Sequence, residues 1–380
     1  MPEKNKEKFL LKDALFNATK VQKLAEEIKE VYAPFDVAAF SNEVLTAFPK
    51  LELKARMYHI RDMFKKYLPD DFVEATTILL DSLPCELDNT KSDDDFGDFI
   101  YAPHSEYVVA YGCCDVHLDF SLNALRAMTK RFSIEFSIRD FVNLYPKETL
   151  EMLEHCALSD NYHERRLASE GLRPKLPWAK KLTLDYAKAC QHLEYLYDDN
   201  TRYVTRSVAN HLNDISKIDA PLVIATLKRW ENSQKQDSKE MTYIINHALR
   251  TLVKKGDVEA LALLGYVQNP ALKMSTLSLS SQAVKVGETL VLTVSIEAKE
   301  ECQLLLDYVV HYRTKRGSTS QKVYKLKKCA FKKGERLTLV KKHPFKAQMS
   351  TRTLHAGEHK VELQINGTIV EEKSFHLEVE

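Results

Sequence analysis

The 380-residue chain is poor in glycine (10 residues), proline (12) and tryptophan (2). That scarcity excludes collagen-like, low-complexity and fibrous chains. No uninterrupted apolar run approaches the roughly 18 residues of a membrane span, so no transmembrane helix is expected. Residues 1–8 are mostly charged and polar, without the apolar stretch of a secretory leader. The seven cysteines are odd in number and contain no CxxC pair, which argues against a disulfide framework or a zinc knuckle. The run Cys113-Cys114-Asp115-Val116-His117 has the spacing of no common metal site, so no metal is expected. There is no phosphate-binding glycine loop and no other cofactor signature. These absences predict a cytoplasmic protein with reduced thiols and no cofactor.

What is present is an ample apolar fraction, 44%, against 29% charged residues in 43.7 kDa. Such a chain can bury a sizeable core and is long enough for two or three domains. The net charge of +1 hides an asymmetry. From residue 271 onward there are 19 Lys+Arg against 12 Asp+Glu, whereas the preceding part carries 36 against 42. A neutral total therefore does not exclude nucleic acid, because one face can carry the positive charge.

The hydrophobic period changes once. Over residues 8–270 apolar side chains recur at helical spacing, as in Leu122, Leu125, Met128 and in Val204, Val208, Leu212, Ile215. Residues 89–95, polar and acidic, read as a disordered loop. From about residue 274 the period is two: Leu290, Leu292, Val294, Ile296, then Leu304 to Tyr312, Val361 to Ile365, and Phe375 to Val379. Glycine-bearing turns separate these runs, and Asn366-Gly367 is a strong hairpin signal. About seven short strands in this length predict an immunoglobulin-like sandwich. The expected fold is mainly α, a HEAT-like helical-repeat solenoid (1–269) followed by a small all-β immunoglobulin-like sandwich (270–380).

Three stretches stack at a 40-residue period, beginning at His163, Tyr203 and Tyr243, close to that of HEAT-like helix pairs. Each would be the inner helix of its pair, which in such solenoids lines the concave face. Arg166, Arg206 and Asn246 then fall in register, as do Glu170, Asn210 and Arg250; Lys217, Lys254 and Lys255 extend the basic character. Such charges can be no more than a solvated helix face, but they are also what phosphate contacts need.

The runs Glu135-Phe-Ser-Ile-Arg139, His163-Glu-Arg-Arg-Leu-Ala-Ser-Glu-Gly-Leu-Arg-Pro-Lys-Leu-Pro-Trp-Ala179 and Tyr203-Val-Thr-Arg-Ser-Val-Ala-Asn-His-Leu-Asn-Asp-Ile215 closely resemble the AlkC-type DNA glycosylases of the HEAT-like alkylation-repair superfamily. Asp140 and Thr205 depart from the family pattern, where a proline and a basic residue are usual. The resemblance covers about residues 8–268, and some members carry a C-terminal immunoglobulin-like domain. It implies excision of N3-alkylated bases, 3-methyladenine and 3-methylcytosine, from duplex DNA without swinging the lesion into a deep pocket. It also implies a monomer working on the nucleoid of a bacterial cytoplasm.

The chemistry suits the residues. An N3-alkylated base is already cationic, so it leaves without protonation. What remains is to stabilise positive charge on the deoxyribose and to deliver water, and carboxylates serve both needs. An aromatic face adds cation–π attraction. The candidate catalytic residues are Glu135, Glu170 and Trp178. Glu135 could instead be a first-turn acid favouring a helix dipole, Glu170 an intrahelical ion-pair partner, and Trp178 a core plug on its proline-bounded loop. The candidate DNA contacts are Arg139, Arg165, Arg166, Arg173, Arg206 and Asn210, with Lys217, Arg250, Lys254 and Lys255 further along. In the strand-rich half they are Lys315 and Arg316, on a basic hairpin. Two other readings compete: a non-catalytic DNA-binding repeat protein, and a protein–protein scaffold.

Overall fold

The computed structural model describes residues 10–93, 95–347, 349 and 352–379. The first part is helical: α1 (Leu11–Leu15), α2 (Ala18–Val31), α3 (Val37–Ala47), α4 (Leu53–Tyr67), α5 (Phe72–Asp81), α6 (Ala102–Gly112), α7 (Leu118–Thr129) and α8 (Ile138–Leu144). It continues through α9 (Pro146–Ala157), α10 (Tyr162–Glu170), α11 (Tyr186–His192), α12 (Arg202–Ile215), α13 (Ala220–Ser233), α14 (Ser238–Ala248), α15 (Arg250–Lys255) and α16 (Val258–Leu263). Asparagine and aspartate open many of them: Asn17, Asp36, Asp71, Asn161 and Asp257 each accept a hydrogen bond from a first-turn N–H. No helix among the described residues is long and apolar enough to cross a membrane.

The 40-residue repeat shows up as a ladder of bonds between α10, α12 and α14. From α10 to α12, His211 Nδ1 donates to the Ser169 carbonyl (3.0 Å) and the Ser207 hydroxyl lies 2.9 Å from that of Ser169. From α12 to α14, Arg202 Nε donates to Glu240 (2.9 Å) and His247 Nε2 to Asn210 (2.9 Å). A helical repeat buries its core only against its neighbours, so these helices are packed in sequence order.

Among the described residues the strand-rich part holds eight strands: β1 (Leu272–Leu279), β2 (Ala283–Lys285), β3 (Thr289–Ala298), β4 (Cys302–Arg313), β5 (Thr319–Phe331), β6 (Arg336–Pro344), β7 (Gly357–Ile365) and β8 (Thr368–Glu378). They form a three-stranded sheet β1-β3-β6 and a five-stranded sheet β2-β8-β7-β4-β5. Leu290, Leu292, Val294 and Ile296 of β3 meet Leu306, Tyr308, Val310, Leu363 and Phe375 in one apolar core. Asn366 (φ 44°) and Gly367 (φ 80°) both take left-handed angles between β7 and β8, as a two-residue primed turn requires.

Packing divides the chain at places other than the change of period. One compact unit comprises residues up to Ile215 with Trp230–His247, and the other Ser216–Arg229 with Ala248–Glu380. The helical residues from Ala248 onward thus group with the sandwich. Leu261 and Tyr266 pack on Leu305, and the Asn366 side chain ties the Val267 carbonyl (2.8 Å) to Gln303 and Leu305 of β4. This cover explains why Leu305 is buried on one face of β4 as Leu304 and Leu306 are on the other.

Four buried histidines give the fold a pH dependence. Burial depresses His104 and His211 to about 3, and His163 and His343 to about 4. An unfolded histidine binds its proton near pH 6.5, so the unfolded state takes up protons first as pH falls. Stability is therefore lost on acidification from about pH 6.5 towards 4, by about 1.4 kcal/mol per pH unit for each fully buried ring. Asp307, pushed up to about 6 by burial, and Glu106, also raised by burial, act in the opposite sense but are two groups against four. Thermal denaturation should show a clear drop in Tm between pH 7 and pH 5; a flat or rising Tm would contradict this.

Candidate functional site

Glu135 lies not in a helix but in the turn before α8. An N-terminal-turn role in the helix dipole is therefore not what holds it. Its position is set by the strand-like pairing of Gly97 with Phe132 and by the bond from Ser133 N–H to the Phe96 carbonyl (3.1 Å). Gly97 has φ 77°, and a Cβ there would stand 2.1 Å from the Arg131 carbonyl oxygen, so this close approach needs glycine. The Ser133 hydroxyl donates to Glu135 Oε2 and accepts from Arg166.

Arg166 of α10 is the hub. Its guanidinium reaches Glu135 Oε2 (3.5 Å) on one side and Glu170 Oε1 (3.8 Å) on the other. It lies over the Tyr203 ring, 4.5 Å from the centroid. Glu170 is held further: Arg173 donates to Oε1 (2.6 Å), the Ser207 hydroxyl donates to Oε2 (2.6 Å), and Arg173 is itself paired with Asp214 (2.9 Å). Burial opposes ionisation of Glu170, but Arg166 and Arg173 outweigh it, and the carboxyl pKa is lowered. Burial likewise opposes the charge on Arg166, and Glu135 and Glu170 overcome it, so its pKa is raised. The Glu135 side chain is 15% exposed and that of Glu170 7%, which makes Glu135 the more approachable carboxylate.

Glu170 does make the intrahelical pair with Arg166 that its spacing suggested, but the pair is one edge of a network spanning three elements. The residues that complete it from α12 are Tyr203, Ser207 and Asp214. They recur at i, i+4 and i+11, a polar stripe at helical spacing that stacking Arg166 on Arg206 passes over.

Trp178 is not a core plug. It is 70% exposed and has φ 63°, a left-handed angle rare for a bulky residue. An exposed aromatic in a strained backbone marks a functional site more often than a packing site.

Three of the arginines expected to meet DNA are committed inside the protein. Arg139 is 1% exposed and donates to the carbonyls of Gly171 (3.0 Å), Arg173 (2.9 Å) and Lys180 (2.6 Å). Burial and the neighbouring Arg173 push it down to about 10. Arg165 is bound to Asp199, to Thr201 and to the carbonyls of Ser159 and Asp160. Arg173 is bound to Glu170 and Asp214. The charges of all three are matched where they stand, because the helix ends and loops around them leave carbonyls and carboxylates to be paired.

Arg206 is partly exposed and paired with Asp93, and Asn210 accepts from His247. Lys217, Lys254, Lys255, Lys315 and Arg316 are exposed and Arg250 half-buried, so the outward basic positions fall in the second unit. The acidic segment expected to be disordered is instead tied down: Asn89 accepts from Tyr162 N–H (3.1 Å), Ser92 accepts from Tyr203 N–H (3.0 Å), and Lys91 pairs with Asp95 (3.1 Å). Asp94 of that segment lies outside the described residues. Among the described residues no group of three or more His, Cys, Asp or Glu could hold a metal ion.

A helical-repeat unit followed by an immunoglobulin-like sandwich is an AlkC-like fold. The chain superposes on Pseudomonas fluorescens alkylpurine DNA glycosylase AlkC, solved bound to DNA containing an abasic site analog, with a TM-score of 0.87 and 29% sequence identity. The match covers 97% of this chain and 100% of that one. Residues 273–379 match the family model described as the C-terminal Ig-like domain of uncharacterised protein YhaZ. Over 367 residues, 96% of this chain and 98% of its relative, the sequence is 31% identical to the uncharacterized protein YhaZ of Bacillus subtilis strain 168. The chain belongs to the YhaZ family.

Proposed function

We propose that the chain is a DNA glycosylase that releases cationic N3-alkylated bases, 3-methyladenine and 3-methylcytosine, from duplex DNA. The observation that carries this reading is the pair Glu135 and Glu170 held on either side of Arg166. The likeness to an alkylpurine DNA glycosylase over the whole chain supports it. When the N-glycosidic bond breaks, its electron pair goes to the alkylated base, which departs neutral. C1′ acquires positive charge, which the two carboxylates stabilise. Water adds to C1′ and loses its proton to Glu135, the more approachable base. Trp178 lies against the lesion and supplies a π face to its cation.

Arg166 and Arg173 keep Glu170 ionised, so it is no acid for a neutral leaving base. A base-release assay on duplexes carrying 3-methyladenine, 3-methylcytosine, hypoxanthine or uracil tests this. Release of the first two alone is expected; release of the neutral bases at a comparable rate, or of none, would sink the reading.

The DNA grip comes from the outward basic residues. Residues up to 269 carry the chemistry, and 270–380 present Lys315 and Arg316 to the phosphates. The protein acts as a monomer on DNA in the bacterial cytoplasm. Lys254→Ala should weaken binding to damaged and undamaged duplex alike and reduce the salt slope by about one unit. Fluorescence anisotropy titrations across a salt series would show it; a loss confined to lesion-bearing DNA would contradict a phosphate contact.

A further inference from the structure

Trp178 holds a costly backbone conformation although its side chain stands largely in solvent. A left-handed angle in a bulky residue persists only where surrounding structure over-determines it. The bonds that do so come from two other helices. Lys54, exposed on α4, donates from Nζ to the Trp178 carbonyl. The same ammonium lies 5.5 Å from the centroid of the Phe136 ring, on the residue next to Glu135. One cation therefore joins the backbone of Trp178 to the turn that carries Glu135. Beneath it, α8 staples the feet of the loop. Arg139 takes the carbonyls of Gly171, Arg173 and Lys180, and Asn143 takes that of Lys181 (3.0 Å) and receives Thr183 N–H (2.9 Å). Asp140, which stands where the family pattern has proline, pairs with Lys180 (2.6 Å).

We propose that Lys54 is a positioning residue for the excision reaction: it fixes Trp178 relative to Glu135, with Arg139 as the buried staple of the same loop. Lys54 touches neither carboxylate. Its contribution is geometric, and small displacements of a positioned group are costly in rate. The inference rests on the glycosylase reading for its kinetic consequence, but its structural part can be tested without any substrate.

The chain has two tryptophans, one exposed and one buried, so labelling with 5-fluorotryptophan gives two 19F resonances. Loss of one in Trp178→Ala assigns it. Because Lys54 is exposed, Lys54→Met should fold normally, with the Trp230 resonance unmoved. The Trp178 resonance should shift or broaden, and Lys54→Arg, which keeps a donor, should restore it. Single-turnover excision of 3-methyladenine should fall about tenfold in Lys54→Met. Affinity for undamaged duplex should stay within about twofold. In a Trp178→Ala background the same substitution should cost nothing further, since Lys54 acts through Trp178. An unmoved Trp178 resonance overturns the proposal, whatever the rate. So does a weakened, less salt-sensitive binding of all duplexes, which would make Lys54 a phosphate contact. If the parent protein releases no base while the resonance moves as described, the glycosylase reading fails and the positioning of Trp178 stands.

Discussion

Glu135→Gln is expected to leave the fold and most DNA affinity intact while slowing release of 3-methyladenine by roughly 100- to 1,000-fold, about 3–4 kcal/mol of transition-state stabilisation. Gln keeps the shape and the acceptor for the Ser133 hydroxyl but removes the charge that faces the sugar cation and the base that accepts the proton from water. Arg166 would still be neutralised from its other side, by Glu170 at 3.8 Å. Glu170→Gln should behave differently. Glu170 is the buried partner of Arg166 and Arg173, and removing one member of such a network leaves charge unmatched, a cost of about 3–5 kcal/mol in stability. Its loss of activity should thus come with a lowered Tm, whereas Glu135→Gln should lose activity at an unchanged Tm. Single-turnover kinetics beside thermal melts would separate the two. Parental excision rates in both variants would show that the carboxylates are not the catalytic pair.

Gly367→Ala is expected to destabilise the strand-rich unit by about 3 kcal/mol, combining the strain of a left-handed alanine with a backbone collision. A Cβ at Gly367 would stand 2.6 Å from both the Gly256 Cα and the Leu261 Cδ1, and one at Gly256 would stand 2.5 Å from the Gly367 carbonyl oxygen. The two glycines are the contact at which the end of α15 meets the β7–β8 turn. Gly317 is the control. It has a similar φ, 81°, but open space around its Cα, so Gly317→Ala should cost only the conformational strain, about 1 kcal/mol. With about 2–4 °C of Tm per kcal/mol for a unit of this size, calorimetry should place Gly367→Ala some 6–12 °C below the parent. Equal melting temperatures for the two variants would refute the close-approach argument.

The sequence by itself determined the elements and pointed to most of the candidate site residues. Periodicity is local information: a 3.6-residue period before residue 270 and a two-residue period after it gave helices and strands, and Asn366-Gly367 gave the hairpin it signals. The residue run shared with AlkC-type enzymes singled out Glu135, Glu170 and Trp178. Tertiary structure decided which charges are available. Arg139, Arg165 and Arg173 look, one residue at a time, like Arg206 or Lys254, because a guanidinium's role depends on the carbonyls and carboxylates that the fold brings to it from 30 to 40 residues away. The same holds for Ser133, Tyr203, Ser207 and Asp214, ordinary polar residues in sequence that become the frame of Arg166 and Glu170 only when α10 packs on α12. The two-faced burial of β4 was likewise invisible to alternation, since the helical residues that cover Leu305 lie some 40 positions upstream. Local pattern fixes what a segment becomes; pairing across the fold fixes what each charge in it is free to do.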